Sequence, residues 1–298
     1  MKWILSVVVL ILSGCARPHP PEEGVKVDLG LKLLVPSDTV LLVGTRVEAL
    51  LKTPIYQKYL ANRALPQIEE FARRTALDPR KDLWELLFVS NGYQGVLLGR
   101  GKFSDQLEDP RLQKENLHKS GYKGLTIVGE DRGAVLFVNN STAAVGTTES
   151  LHQLVDLRGT STGPPPALAE LMKGLLPDAQ LWAAYTGGPV KLPFDENSNL
   201  ANVNRLLASV QSGTVYFDFR EGLKGVAEGT CSTEQGAQQV HDAFKALVGL
   251  GRLSVRPGQE ELLPVYDSIQ VTQQANHVKV VVEVPERMVE KFLDLWIK

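Results

Sequence analysis

Apolar and polar positions alternate with period two in several short stretches of the chain. In His277 to Val284, Val278, Val280, Val282 and Val284 point one way while His277, Lys279 and Glu283 point the other. In Thr214 to Arg220, Val215, Phe217 and Phe219 oppose Thr214, Tyr216, Asp218 and Arg220. Strands with one dry face and one wetter face belong to antiparallel sheets covered by helices on one side. Between them the period changes. Val240, Phe244, Leu247 and Val248 recur at helical spacing, and Ser232 stands three residues before Gln235, the spacing of a capping box.

Extended over the chain, the pattern is written twice. Leu34 to Thr45, LVPSDTVLLVGT, has a counterpart in Leu175 to Thr186, LLPDAQLWAAYT, in the same register. Helical segments follow, around Val47 to Ala76 and Leu200 to Ser209. Hairpins come next: Trp84 to Ser90 with Gly95 to Phe103 around Asn91-Gly92, and Thr214 to Phe219 with Leu223 to Cys231. Helices then span Ser104 to His118 and Thr233 to Leu250. A second hairpin pairs Leu125 to Val128 with Ala134 to Val138, and Ile269 to Gln273 with Val278 to Val284. The closing helices are Thr148 to Leu157 and Glu286 to Ile297. The expectation is an α+β fold of two similar β-α-β-β-α-β-β-α units, with antiparallel sheets covered by helices on one face. The units span 28–157 and 175–298, joined by a linker at 158–174 that contains Arg158 to Pro166, RGTSTGPPP. The run Ala134 to Val138, AVLFV, is apolar on both faces and permits a second buried surface.

The N-terminus follows another pattern. Met1 and Lys2 precede an apolar stretch, Trp3 to Leu12, which is shorter than the roughly 20 residues a spanning helix needs and fits a signal peptide over 1–14. The order Leu12, Ser13, Gly14, Cys15 resembles the lipobox of bacterial lipoproteins. That resemblance implies cleavage between Gly14 and Cys15 and a lipid on Cys15. It also implies a location in the bacterial cell envelope, with a membrane anchored through lipid as a partner. Ala16 rather than Asp after the cysteine implies the outer membrane, facing the periplasm, by the enterobacterial sorting pattern. Two or three acyl chains make a stable anchor where one is marginal. Residues 15–27, with Pro18, Pro20 and Pro21, read as an extended tether.

Composition narrows the function classes. Of 298 residues, 43% are hydrophobic and 22% charged, with a formal net charge of -2, so the chain can bury a large core. The basic residues are scattered, which excludes a nucleic-acid footprint. With Cys15 lipidated, Cys231 has no partner and reads as a small buried hydrophobe at a strand end. GTSTG, Gly159 to Gly163, matches a nucleophile elbow literally but lacks the strand-turn-helix setting that the motif needs. Asp195, Asn197 and Asn199 begin like a calcium loop, yet Leu200 and Leu206 stand where the glycine and the bidentate glutamate belong. His19, His118, His152, His241 and His277 lie in different elements, so no zinc signature exists. No catalytic residue, metal site or cofactor is expected.

The chain after the tether resembles a loosely defined group of bacterial exported proteins and lipoproteins. The resemblance lies in LDPRKDL (Leu77 to Leu83), GRGKF (Gly99 to Phe103), YKGLTI (Tyr122 to Ile127), AAVGTTESLHQLVD (Ala143 to Asp156) and the stretch from Cys231 to Leu253. It brings no activity to transfer. The expected function is therefore a non-enzymatic protein-interaction module held at the membrane, with an envelope protein as partner. A periplasmic carrier of a lipid or other hydrophobic ligand is the alternative, and an unrecognised hydrolase the second. The carrier requires a continuous apolar pocket of about 300 to 1,000 Å³.

Overall fold

The structure is a computed structural model that describes residues 24–63, 66–75, 78–103, 118–131, 133–188 and 209–296. The signal peptide, Gly14 and Cys15, the calcium-like stretch from Asp195, and all but the last residue of the helices expected over Ser104 to His118 and Leu200 to Ser209 lie outside the described residues.

Twelve strands form one sheet: β1 (Leu41–Thr45), β2 (Leu83–Ser90), β3 (Gly95–Gly101), β4 (Lys119–Tyr122), β5 (Leu125–Glu130), β6 (Gly133–Asn139), β7 (Thr142–Gly146), β8 (Leu181–Tyr185), β9 (Val210–Asp218), β10 (Leu223–Cys231), β11 (Ile269–Gln274) and β12 (His277–Val284). Their order is β11-β12-β10-β9-β8-β1-β2-β3-β7-β6-β5-β4, and every neighbouring pair is antiparallel. The α+β class expected from the alternation is the class observed. At the centre β1 pairs with β8, Leu41 opposite Tyr185 and Thr45 opposite Leu181.

The second hairpin of the first half differs from expectation. Four strands, β4 to β7, stand where two were expected, and in the sheet it is β7 that follows β3. The missed strands are KSGY and TAAVG, short and rich in small residues, with little of the β-branched or aromatic content that marks a strand. The register of the two strand motifs also shifts by one. Leu42 and Trp182 are both buried, whereas equal register would pair Leu42 with the half-buried Ala183.

Helices cover both faces, which corrects the single covered face. Over the first face lie α1 (Leu29–Lys32), α6 (Thr148–Asp156) and α7 (Pro166–Lys173), packed on Leu42, Leu87, Leu98, Leu136 and Trp182. Residue pairing across the sheet shows that Val271 and Val278 belong to the other face, where α8 (Glu234–Leu253) buries Ala237 and Val240 with Cys231. Period two tells that a strand has a dry face; it does not tell which side of a shared sheet that face is on. The β6 run uses both, with Ala134, Leu136 and Val138 in the main core and Phe137 against Phe103 and Ala143 on the reverse side.

Segment 166–173, assigned to the linker, is the helix α7, with Pro166 at its first turn and Leu168 and Met172 buried. Proline at the first helical turn costs no hydrogen bond, so a proline run can open a helix as well as break one. The described end of the expected tether is docked: Val25 is buried and its N–H donates to the Met172 carbonyl at 3.2 Å. The long helix expected over Val47 to Ala76 is divided into α2 (Val47–Leu51), α3 (Pro54–Tyr59) and α4 (Pro66–Thr75), and a single turn, α5 (Pro79–Asp82), leads into β2; each of the last three is begun by a proline. Helix α8 is capped by Thr233, whose hydroxyl accepts the Gly236 N–H at 3.0 Å, and not by Ser232. A 3₁₀ turn (Glu260–Leu262), α9 (Leu263–Asp267) and α10 (Glu286–Trp296) complete the second face.

Candidate functional site

Among the described residues, the side chains singled out in the sequence stand apart from one another. Ser161 of the GTSTG stretch donates its hydroxyl to the Val35 carbonyl at 2.8 Å and accepts the Gly163 N–H at 3.2 Å, so it fastens a turn. His152 stacks on Tyr122 with ring centres 3.9 Å apart; His241 meets Asp242 at 2.9 Å and His277 meets Thr230 at 3.0 Å. Among the described residues no three His, Cys, Asp or Glu side chains form a group able to hold a metal ion. Cys231 is buried at the end of β10, and burial pushes its thiol up.

The clefts are open to solvent and mixed in lining. A 630 Å³ cleft is lined by Asp218, Arg220, Glu221, Lys224 and Glu283 among others. Arg220 holds Asp218 at 2.7 Å, and that hydrogen bond draws the Asp218 carboxyl below the usual carboxylate range. Lys224 holds Glu283 at 3.2 Å. A 340 Å³ cleft lies between α6 and the turn that follows β2, with Val89, Val96, Leu154 and Leu157 in its walls and Asp38 and Asp156 at its edge. Neither is the apolar pocket that a carrier needs.

The apolar surface left in the open lies elsewhere. Residues at one register run unbroken across eleven strands of the second face, from Val271 through Val280, Ala183, Val43 and Leu97 to Val128. Within that row Leu97 is 36% and Val145 40% exposed. Where the row reaches β11, α8 stands over it with Leu247 47%, Leu250 61% and Leu253 84% exposed.

The geometry of α8 explains this. At about 100° per residue, its charged residues Glu234, Asp242, Lys245 and Arg252 fall on one arc of the helix. Counted from Glu234, the arc from about 120° to about 220° carries Gln239, Ala243, Ala246, Leu247 and Leu250 without a charge, and Leu253 stands at its border beside Asp242. The flank bearing Gly251 and Arg252 meets α9: Tyr266 occupies the space beside Gly251, and Arg252 pairs with Asp267. The 3₁₀ turn before α9 touches α10, which joins α3 through the Tyr59 hydroxyl donated to the Glu290 carbonyl at 3.0 Å. Thus α9 lies toward the middle of the sheet, and the uncharged flank of α8 overhangs the free edge of β11.

The two edges of the sheet are unlike. β4 has four residues, begins at Lys119 and is followed by Lys123, features that blunt an edge. β11, IQVTQQ, has six residues and no charge or proline. Helical spacing in the sequence marks Val240, Phe244, Leu247 and Val248; it does not mark Ala243 and Leu250, and it gives β11 no special place. The signal was the absence of charge over one arc of α8, which becomes a site only once β11 is known to be an edge.

No protein-family profile matches the chain, and no curated protein matches it in sequence. Its fold is similar to that of TP0453 in crystal form III, with a TM-score of 0.53 at 8% identity, over 90% of this chain and 99% of that one. Crystal form I of TP0453 aligns with a TM-score of 0.47 at 8% identity, over 89% and 96% of the two chains. At this identity the likeness is one of fold, shared over nearly the whole length.

Proposed function

We propose that the chain is a non-enzymatic protein-interaction module of the bacterial cell envelope, lipidated at Cys15 and held at the outer membrane, and that it engages its partner through β11 and the uncharged flank of α8. The observation that carries this reading is the conjunction of an uncharged edge strand, unpaired on its outer side among the described residues, with exposed leucines of α8 over it. An open edge supplies main-chain donors and acceptors for an added strand, and apolar side chains beside it supply buried area. The carrier reading is weaker, because the described clefts are open to solvent and edged by charge.

The doubled organisation belongs to the same proposal. β1-β2-β3 and β8-β9-β10 run outward in mirrored order from the central pair, which is the arrangement expected of a duplicated unit. Duplication leaves two outer edges, and only β11 is unprotected.

A photo-activated cross-linker placed at Leu250 of the full chain tests the reading in intact cells, with Lys279 on the opposite sheet face as the control position. A discrete cross-linked product from Leu250 and none from Lys279 is the expected result. No product from Leu250, or the same products from both positions, overturns it.

A further inference from the structure

We infer that the partner which fits this surface is a second copy of the chain, joined β11 to β11 in antiparallel fashion so that the two α8 helices pack side by side across a twofold axis. This inference rests on the interaction reading and names its partner.

Three observations lead to a second copy. An isologous contact sets each residue of a patch against the same patch, so any charge would meet its like. Neither β11 nor the overhanging flank of α8 carries a charge. Second, the hydrogen-bonding directions allow self-pairing. A two-residue turn, Ala275-Asn276, joins Gln274 to His277, so Gln274, Thr272 and Gln270 bond inward to β12, while Ile269, Val271 and Gln273 present their N–H and C=O groups outward. With Val271 on the axis, Ile269 stands opposite Gln273 of the second copy and every outward group finds a partner.

Third, the helices come to packing distance. α8 is seated chiefly on β11 and then on β12, so its axis projects between them. Strands about 4.8 Å apart then place the two α8 axes about 10 Å from each other, within the range of packed helices. Leu247 and Leu250 are the residues that meet. A helix layer about 30 Å long and a six-residue strand layer about 20 Å long, each about 10 Å deep, bury roughly 1,000 Å² in total, the threshold for a specific interface.

The test is sedimentation of the full chain in mild detergent, with wild type beside Leu250→Glu. The expected result is a wild-type species of twice the single-chain mass and a dimer weakened about tenfold or more in Leu250→Glu. Leu250 is mostly exposed, so circular dichroism and melting of that variant stay unchanged. The register is tested separately by mixing Gln270→Cys with Thr272→Cys. These positions form a non-hydrogen-bonded pair across the axis with Cα atoms about 4.5 Å apart, within disulfide reach. The mixture cross-links on mild oxidation and each variant alone does so far less.

A monomeric wild type, a Leu250→Glu protein that stays dimeric, or equal cross-linking by each variant alone overturns the pairing. If the wild type is monomeric while Leu250 cross-links to a different envelope protein in cells, the self-pairing fails and the interaction reading stands.

Discussion

Trp182 fills the space that a side chain on Gly44 would occupy. The two residues are directly opposite in the central β1–β8 pair, and a Cβ on Gly44 would clash with the indole ring. Trp182 is 1% exposed, in the main core that α7 covers. Gly44→Ala therefore forces the indole aside and lowers stability by about 1–3 kcal/mol, the range for overpacking. Trp182→Ala costs about 3–5 kcal/mol through lost burial and a cavity. The Gly44→Ala, Trp182→Ala double variant is less destabilised than the sum of the two, because the methyl clashes with nothing once the ring is gone. Urea denaturation of the four proteins measures the coupling.

Thr233 and Ser232 are adjacent hydroxyl residues with different work. Thr233 accepts the Gly236 N–H and begins α8, whereas the Ser232 hydroxyl reaches the Ser209 carbonyl at 3.4 Å. Thr233→Ala is expected to cost about 1 kcal/mol and Ser232→Ala a few tenths. Equal losses in thermal denaturation would contradict the observed cap.

Two carboxylates are expected to act on stability with opposite signs as pH changes. The Arg220 hydrogen bond lowers Asp218 in the folded state, so its contribution is present above the ordinary aspartate value and is lost as pH falls through the lowered one. Asp218→Asn is thus less stable than wild type at neutral pH, and the deficit shrinks below about pH 4. Burial raises Glu85, and the Asp28 N–H donated to it at 3.2 Å only partly offsets that. The native state then holds a proton that the unfolded chain has released, and stability falls as pH rises from the ordinary glutamate value to the raised one. Glu85→Gln gains on wild type across that window and matches it below about pH 4. Melting curves from pH 3 to pH 8, read as differences from wild type, check both signs.

Cys15 carries the anchoring part of the proposal. Cys15→Ala is expected to abolish lipid labelling, to leave the precursor uncut and to alter fractionation with the outer membrane. Unchanged processing and unchanged membrane association would remove the lipid anchor from the proposal.

The sequence made some of this structure readable and concealed the rest for physical reasons. The alternation in β12 was plain because Val278 and Val284 are buried while His277, Lys279 and Glu283 are exposed. Which face of the sheet each dry side would join was not readable, since the assignment depends on pairing with strands far along the chain. β4 and β7 have too few large side chains to announce themselves. α7 was hidden by the prolines before it, which look like a break until Leu168 and Met172 are found in the core. Exposure on α8 is likewise a tertiary property: Phe244 and Leu247 obey helical spacing just as Val240 does, yet only Val240 is buried.

The central β1–β8 pairing joins residues about 140 positions apart. The hairpins on either side close locally, whereas this seam must wait until both halves exist, and pairings so distant in sequence form slowly. During synthesis, the first half therefore waits with β1 as a raw border. Two fragments separated between α6 and α7 would each keep such a border, and the seam gives them a reason to find each other again.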